Sequence, residues 1–213
     1  MNARRLVVIV VAAVVAVGSL VASRRTSPDG VRAAVGASPA ARTPGAAAAV
    51  TTLPVLTTDP APDVAALASG WLNSAPLAPA DLVGKVVLYD LWTFGCINCQ
   101  HTTPSLRSWY ARYAPDGLVI VGVHTPEFDY EADPANVAQA VTKADIAYPV
   151  ALDPQRRVWR AFDNHYWPMF YLYDRAGARR YIHIGEGAYA ETEDAIRSLL
   201  DVDPSSPRAV PAT

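Results

Sequence analysis

The chain has 213 residues, 51% hydrophobic and 18% charged, enough for one globular domain of ordinary size with sequence to spare. A formal net charge of −2 and the absence of any dense Lys/Arg block leave no electrostatic footprint for nucleic acid, and no acidic tail offers a hold for a basic partner. The expected partner is a protein or a small molecule.

At the N-terminus, Arg4 and Arg5 precede a continuous apolar run from Leu6 to Ala22, the pattern of an export signal or a membrane anchor. The run is long for a signal-peptide core and at the short limit for a spanning helix. Residues 1–23 are therefore read as a signal peptide or a transmembrane anchor. Either places the protein in the cell envelope, on the outer face of the cytoplasmic membrane if anchored, and secreted or periplasmic if cleaved. Residues 24–62 are rich in Ala, Pro, Thr, Ser and Gly without a periodic apolar face, and read as a disordered tether. The C-terminal residues 203–213 have the same character and read as a disordered tail. That leaves a folded domain at 63–202.

Within the domain, "KVVLYDLW" (85–92) and "LVIVGVH" (118–124) are nearly continuous apolar runs, as strands covered on both faces of a parallel sheet require. Asn98 to Tyr113 between them has the length of a crossover helix, which makes a right-handed βαβ unit. A second helix is expected over Asp133–Ala144, with Pro134 in its first turn, followed by a short strand in "YPVAL". "RRVWRAF" reads as a short helix. "MFYLYD" and "RRYIHIG" read as a hairpin around "RAGA", and "TEDAIRSLL" as a closing helix capped by Thr192 with Glu193 and Asp194 in its first turn. The fold class is α/β, with a central mixed sheet flanked by helices.

Both cysteines of the chain, Cys96 and Cys99, fall where the first apolar run turns polar. Residues three apart at a helix start are close enough to bridge. As a staple the bond closes too short a loop to contribute much, about 2 kcal/mol against about 4.7 for a hundred-residue loop. A closed zinc site needs two more ligands, and the four histidines, His101, His124, His165 and His183, form no H-x3–5-H pair. Copper(I) on the two thiolates stays open, because soft thiolates suit it. Redox chemistry is the remaining reading: at the helix N-terminus the Cys96 sulfur meets the positive end of the dipole, and Cys99, one turn in, can resolve a mixed disulfide formed on Cys96.

These residues resemble the thioredoxin superfamily, and the resemblance continues at single positions. Asp90 matches the buried carboxylate that moves the resolving cysteine's proton, Trp92 the tryptophan ahead of the motif, Pro104 the helix-kinking proline, and Pro168 the cis-proline facing the disulfide. "GWLNSAPL", "WTFGCINCQ", "GVHTPEFDYEADPANV", "NHYWPMFYLYD" and "HIGEGAYAETEDAI" are similar, more narrowly, to the DipZ-type domain within the exported TlpA-like group, over residues 70–200. The resemblance implies a thioredoxin-like fold and a thiol:disulfide oxidoreductase working through a reversible Cys96–Cys99 disulfide. It implies Asp90 as proton relay, and Pro168, Trp167 and Trp92 as residues meeting substrate, without metal or cofactor. Its partners would be protein thiols or disulfides and a separate membrane electron donor or acceptor, since DipZ proteins join this domain to a membrane portion that this sequence does not contain. A link to cytochrome c biogenesis follows from the group alone.

Some positions depart from the pattern. Ile97 and Asn98 between the cysteines carry no charge that would hold a thiolate, so the motif does not fix the direction of electron flow, and the expectation is reductive. His101, about 200° around the helix from Cys99, should face solvent. His124 either reaches the site or is an ordinary loop residue. Thr93-x-x-Cys96 matches part of a peroxiredoxin site, whose proline is replaced by Tyr89, so a thiol peroxidase stands as a further alternative.

Overall fold

A computed structural model describes residues 52–211; the signal or anchor segment, the tether as far as residue 51, and residues 212–213 lie outside the described residues. In chain order the elements are α1 (Val64–Leu67), β1 (Gly70–Leu72), β2 (Val86–Trp92), α2 (Ile97–Tyr113), β3 (Leu118–His124), α3 (Pro134–Lys143), β4 (Val150–Leu152), α4 (Arg157–Ala161), β5 (Met169–Tyr173), β6 (Arg179–Ile184) and α5 (Tyr189–Leu200). Short 3-10 turns stand at Pro79–Leu82, Ala114–Asp116 and Asp129–Ala132. Among the described residues no helix is long and apolar enough to cross a membrane.

The two apolar runs pair in parallel at the centre of one six-stranded sheet of order β1-β4-β3-β2-β5-β6. β4 continues the parallel set, while β1, β5 and β6 run antiparallel to their neighbours, giving the mixed sheet expected of a thioredoxin-like fold. Every residue of β2 is buried, because helices cover both faces. Alternation along the strand sends Val86, Leu88 and Trp92 to the face covered by α2, α3 and α5, and Val87, Tyr89 and Leu91 to the face covered by α1 and α4. Asp90 shares the first face, the one that also takes Cys99.

α2 begins one residue ahead of the expected position and carries Pro104 in its interior. Proline withdraws one N–H from the helical ladder. Just upstream, the hydroxyls of Thr102 and Thr103 both donate to the Cys99 carbonyl, at 2.8 and 2.9 Å.

The closing helix differs from the sequence expectation. It starts at Tyr189 behind Ala188, whose backbone is left-handed, so Thr192 lies inside it and is buried, its hydroxyl 3.1 Å from that of Tyr181. Strand β1 had no signal at all, being three residues at the sheet edge.

The packed body also passes both expected domain limits. Residues of the tether's end lie along β6, with Leu56 N donating to Arg179 O at 2.8 Å and Arg180 Nε to Pro54 O at 3.1 Å. At the other end, Arg197 is 5% exposed and donates to the carbonyls of Asp203 (2.9 Å) and Ser206 (3.0 Å) and to the Tyr113 hydroxyl (3.1 Å), which itself donates to Glu193 at 2.6 Å. A buried guanidinium needs acceptors on every side, and the segment read as a tail supplies them. Replacing Arg197 by Ala is expected to cost about 3 kcal/mol, because the Asp203 and Ser206 carbonyls and the Tyr113 hydroxyl then lose their shared buried donor. The check is the urea midpoint, and an unchanged midpoint would show the segment to be passive.

Candidate active site

The position of Cys96 follows from where β2 stops. Cys96 is the N-cap of α2 in extended conformation (φ −76°, ψ 117°), and its Sγ accepts from Cys99 N at 3.3 Å. A sulfur here takes one of the orphan N–H groups of the first turn and sits at the positive end of the helix dipole. Cys96 is partly exposed and Cys99 is 1% exposed, and both are free thiols, so the structure shows the dithiol form. Burial pushes the Cys99 thiol far up, with its hydrogen bond to Cys96 acting the same way, the Thr93 backbone opposing, and the Asp90 charge adding to the rise. Cys96 thus presents the accessible sulfur, and Cys99 is the buried thiol that keeps its proton.

Beneath the pair, Asp90 is 2% exposed, and burial lifts its carboxyl to about 8. Its Oδ1 has no hydrogen-bond partner. The strand partner of Asp90 is Gly122, where a Cβ would lie 3.0 Å from Trp92 Nε1 and 3.1 Å from Tyr148 Cε2. The missing side chain makes room for both rings opposite the carboxyl. Burial alone sets the Asp90 carboxyl, with no charged neighbour among the described residues offsetting it, and near neutrality it can give a proton or take one.

Two buried groups fix the loop Thr93–Gly95 that leads into Cys96. Phe94 N donates to His124 Nε2 at 3.3 Å, and Gly95 N donates to Glu131 Oε1 at 2.9 Å. Burial lowers His124 to about 4, with the Glu131 charge opposing, so near neutrality it is an uncharged ring accepting at Nε2. Phe94 stacks on it at 5.4 Å. Glu131 is 1% exposed, and its other oxygen accepts from Glu127 N (2.6 Å) and Phe128 N (3.0 Å). Gly95 has no room for a side chain, since a Cβ would come within 2.2 Å of Glu131 Oε1. Sequence reasoning missed Glu131. The one available signal was an acidic residue closing the polar run "PEFDYE" just after a buried strand.

A profile of the AhpC/TSA family matches residues 57–182. The chain belongs to the AhpC/TSA family. Among curated relatives, Protein DipZ of Mycobacterium tuberculosis is 45% identical over 144 residues, which is 66% of this chain and 21% of DipZ. The thiol-disulfide oxidoreductase YkuV of Bacillus subtilis is 28% identical over 131 residues, 61% of this chain and 87% of YkuV. A solved structure of a thioredoxin-like protein in its oxidized form superposes with a TM-score of 0.60 at 27% identity, over 67% of this chain and 95% of the other. The chain thus spans about a fifth of the length of DipZ, and most of YkuV and of that thioredoxin-like protein.

Within this family framework the remaining site residues separate into surface and core. The Trp167–Pro168 peptide is cis. Pro168 is buried and its carbonyl accepts from Gly185 N at 2.9 Å, so that carbonyl is already paired within the sheet. The Trp167 indole is anchored by donation to Thr125 O at 3.0 Å and packs on Trp159 at 4.2 Å. Trp92 corrects an expectation: at 4% exposure it cannot meet substrate, and it fills the space left by Gly122. His101 points outward and bonds Glu186 at 3.0 Å. Thr93 Oγ1 lies 3.3 Å from His124 Nε2.

The raised Asp90 sets a sign. Between about pH 4, where the unfolded chain ionises, and about 8, where the native group does, the native state holds the extra proton, so stability falls as pH rises. Asp90→Asn is expected to stabilise the protein on the order of 4 kcal/mol at pH 7 and by almost nothing at pH 4. Denaturant unfolding at the two pH values measures it, and equal gains at both would contradict the assignment. Glu131→Ala leaves Gly95, Glu127 and Phe128 N–H without their acceptor and is expected to cost about 3 kcal/mol. Hydrogen exchange of the Gly95 amide, read against wild type, should accelerate well beyond that of amides in β3.

Proposed function

We propose that the chain is a thiol:disulfide oxidoreductase acting on exported proteins, with Cys96 as nucleophile and Cys99 as resolver. The observation that carries the reading is the pairing of an N-capping, partly exposed sulfur with a second sulfur buried over a carboxyl near neutrality. In the reductive direction, the Cys96 thiolate attacks a substrate disulfide. One substrate sulfur leaves as a thiolate and the other stays bound to Cys96. Cys99 passes its proton to the ionised Asp90, attacks Cys96 Sγ and releases the second substrate thiol. Two electrons pass from the dithiol to the substrate, and the pair ends as a disulfide. Asp90 then returns the proton when a separate membrane donor restores the dithiol.

Two features support the reductive direction. Burial and the Asp90 charge both push the Cys99 thiol up, which disfavours its thiolate form and so favours the disulfide. A couple whose reduced form is not specially stabilised is a reductant, the reverse of the strongly oxidising case. The name of one relative agrees with the class of reaction, since YkuV is a thiol-disulfide oxidoreductase. The apolar run at residues 6–22 supports work on the outer face of the cytoplasmic membrane or beyond. The peroxidase alternative gains nothing from Thr93, whose hydroxyl is turned to His124, and the copper(I) alternative rests on the thiols alone.

Cys96→Ser should abolish disulfide reduction while leaving the unfolding midpoint close to wild type; retained turnover would sink the assignment. Cys99→Ser should accumulate mixed disulfides with envelope proteins, seen as thiol-sensitive bands of higher mass, and a clean lane would argue against protein substrates.

A further inference from the structure

The loop after β3 does more than hold Gly95. Its residues Phe128 and Tyr130 stand beside the nucleophile's loop with their rings stacked, centroids 5.9 Å apart and 6° between planes, yet they are 53% and 54% exposed. Exposed aromatic rings of this size normally turn inward. Here they cannot, because the backbone beneath them is fixed. Glu131 accepts from Phe128 N with one oxygen and from Gly95 N with the other, and Asn136 Nδ2 donates to Tyr130 O at 2.9 Å. The Tyr130 hydroxyl oxygen lies 2.9 Å from where a Gly95 Cβ would stand, and its ring packs on Phe94 at 5.8 Å. The aromatic shelf thus borders Phe94 and Gly95, the residues that lead into Cys96.

The charge of the shelf says what fits it. Glu127 and Asp129 flank Phe128, both exposed, and neither has a cationic partner among the described residues. The guanidinium of Arg156 is turned inward, donating to Pro126 O and lying over the rings of Trp159 and Trp167.

We propose that the Glu127–Glu131 segment is a substrate-recognition arm that selects extended segments with a bulky apolar side chain beside the reacting cysteine and a Lys or Arg nearby. The apolar side chain is covered by Phe128 and Tyr130. The cation meets Glu127 and Asp129. Because the arm is already ordered by Glu131, binding spends little on loop ordering. The proposal rests on the thiol–disulfide reading of Cys96 and Cys99, and adds the substrate class.

The test uses the full-length chain, reduced, and three short peptides whose single cysteine is capped as a neutral mixed disulfide with mercaptoethanol. One carries Phe beside the cysteine and a nearby Lys, the second Gly and Lys, the third Phe and Glu. In a single turnover the dithiol gives two electrons and becomes the Cys96–Cys99 disulfide while peptide thiol and mercaptoethanol leave; total thiol is unchanged, so the rate is read as uncapped peptide separated from the capped form after acid quench. The first peptide should react about tenfold faster than the second, as burial of part of one large apolar side chain predicts. It should also outpace the third by a ratio that shrinks at high salt. The double variant Phe128→Ala, Tyr130→Ala should bring the first ratio close to one, and Glu127→Gln with Asp129→Asn should do so for the second. Ratios cancel any common loss of reactivity. Equal rates with all three peptides on the wild-type protein, or a Phe preference that survives the aromatic double variant, would overturn the arm's role. If the wild-type protein reduced no peptide, the thiol–disulfide reading would fall, and this inference with it.

Discussion

Ionising a carboxyl in the middle of a covered sheet costs several kcal/mol, and that cost organises the active end of this protein. Asp90 is there because β2 is the central strand, and an even position on that strand faces the same layer as the start of α2. One desolvated environment acts on both Asp90 and Cys99 and pushes both groups up. Their shared burial keeps a proton at hand beneath a sulfur that otherwise has no route to solvent. Gly122 keeps the opposite wall aromatic, and no charged neighbour among the described residues offsets the effect on Asp90. Stability is given up for this arrangement, as is common where a site needs a strained or unpaired group.

Above that buried group, the fold presents a sulfur through hydrogen bonds that the loop cannot supply to itself. Phe94 N and Gly95 N are taken by a neutral histidine and a carboxylate from β3 and the loop that follows it. Cys99 N is taken by the nucleophile. The site thus lies at the carboxyl ends of the two central parallel strands, where α/β proteins gather their working loops. Glu131 ties two of those loops together, so the position of the nucleophile and the shape of the surface around it have a common support.

How much of this could be read from the sequence depended on whether the cause was local. The runs 85–92 and 118–124 are buried on both faces, and continuous apolar sequence reports that directly. Cys96 and Cys99 lie at a junction that the change from apolar to polar residues marks. Other features depend on partners far away in the chain. β1 is three residues held only by β4, and Glu131 draws its meaning from amides at 95, 127 and 128. The substrate-meeting role that the resemblance gave Trp92 fails once Gly122 is seen beneath it. Thr192 has the chemistry of a cap, yet the helix begins earlier at a left-handed alanine that no propensity favours. Residues 203–211 lack hydrophobic content but answer to one buried arginine, and composition carries no trace of that demand.

The most direct test of the account is the midpoint potential of the Cys96–Cys99 couple in graded dithiol/disulfide buffers, with trapped thiols counted by mass. The account predicts one reversible two-electron step near −270 mV or lower, in the range of reducing thioredoxins. A potential near −120 mV would make the protein an oxidant and reverse the direction assigned to it. No reversible couple at all would contradict the redox assignment of the pair.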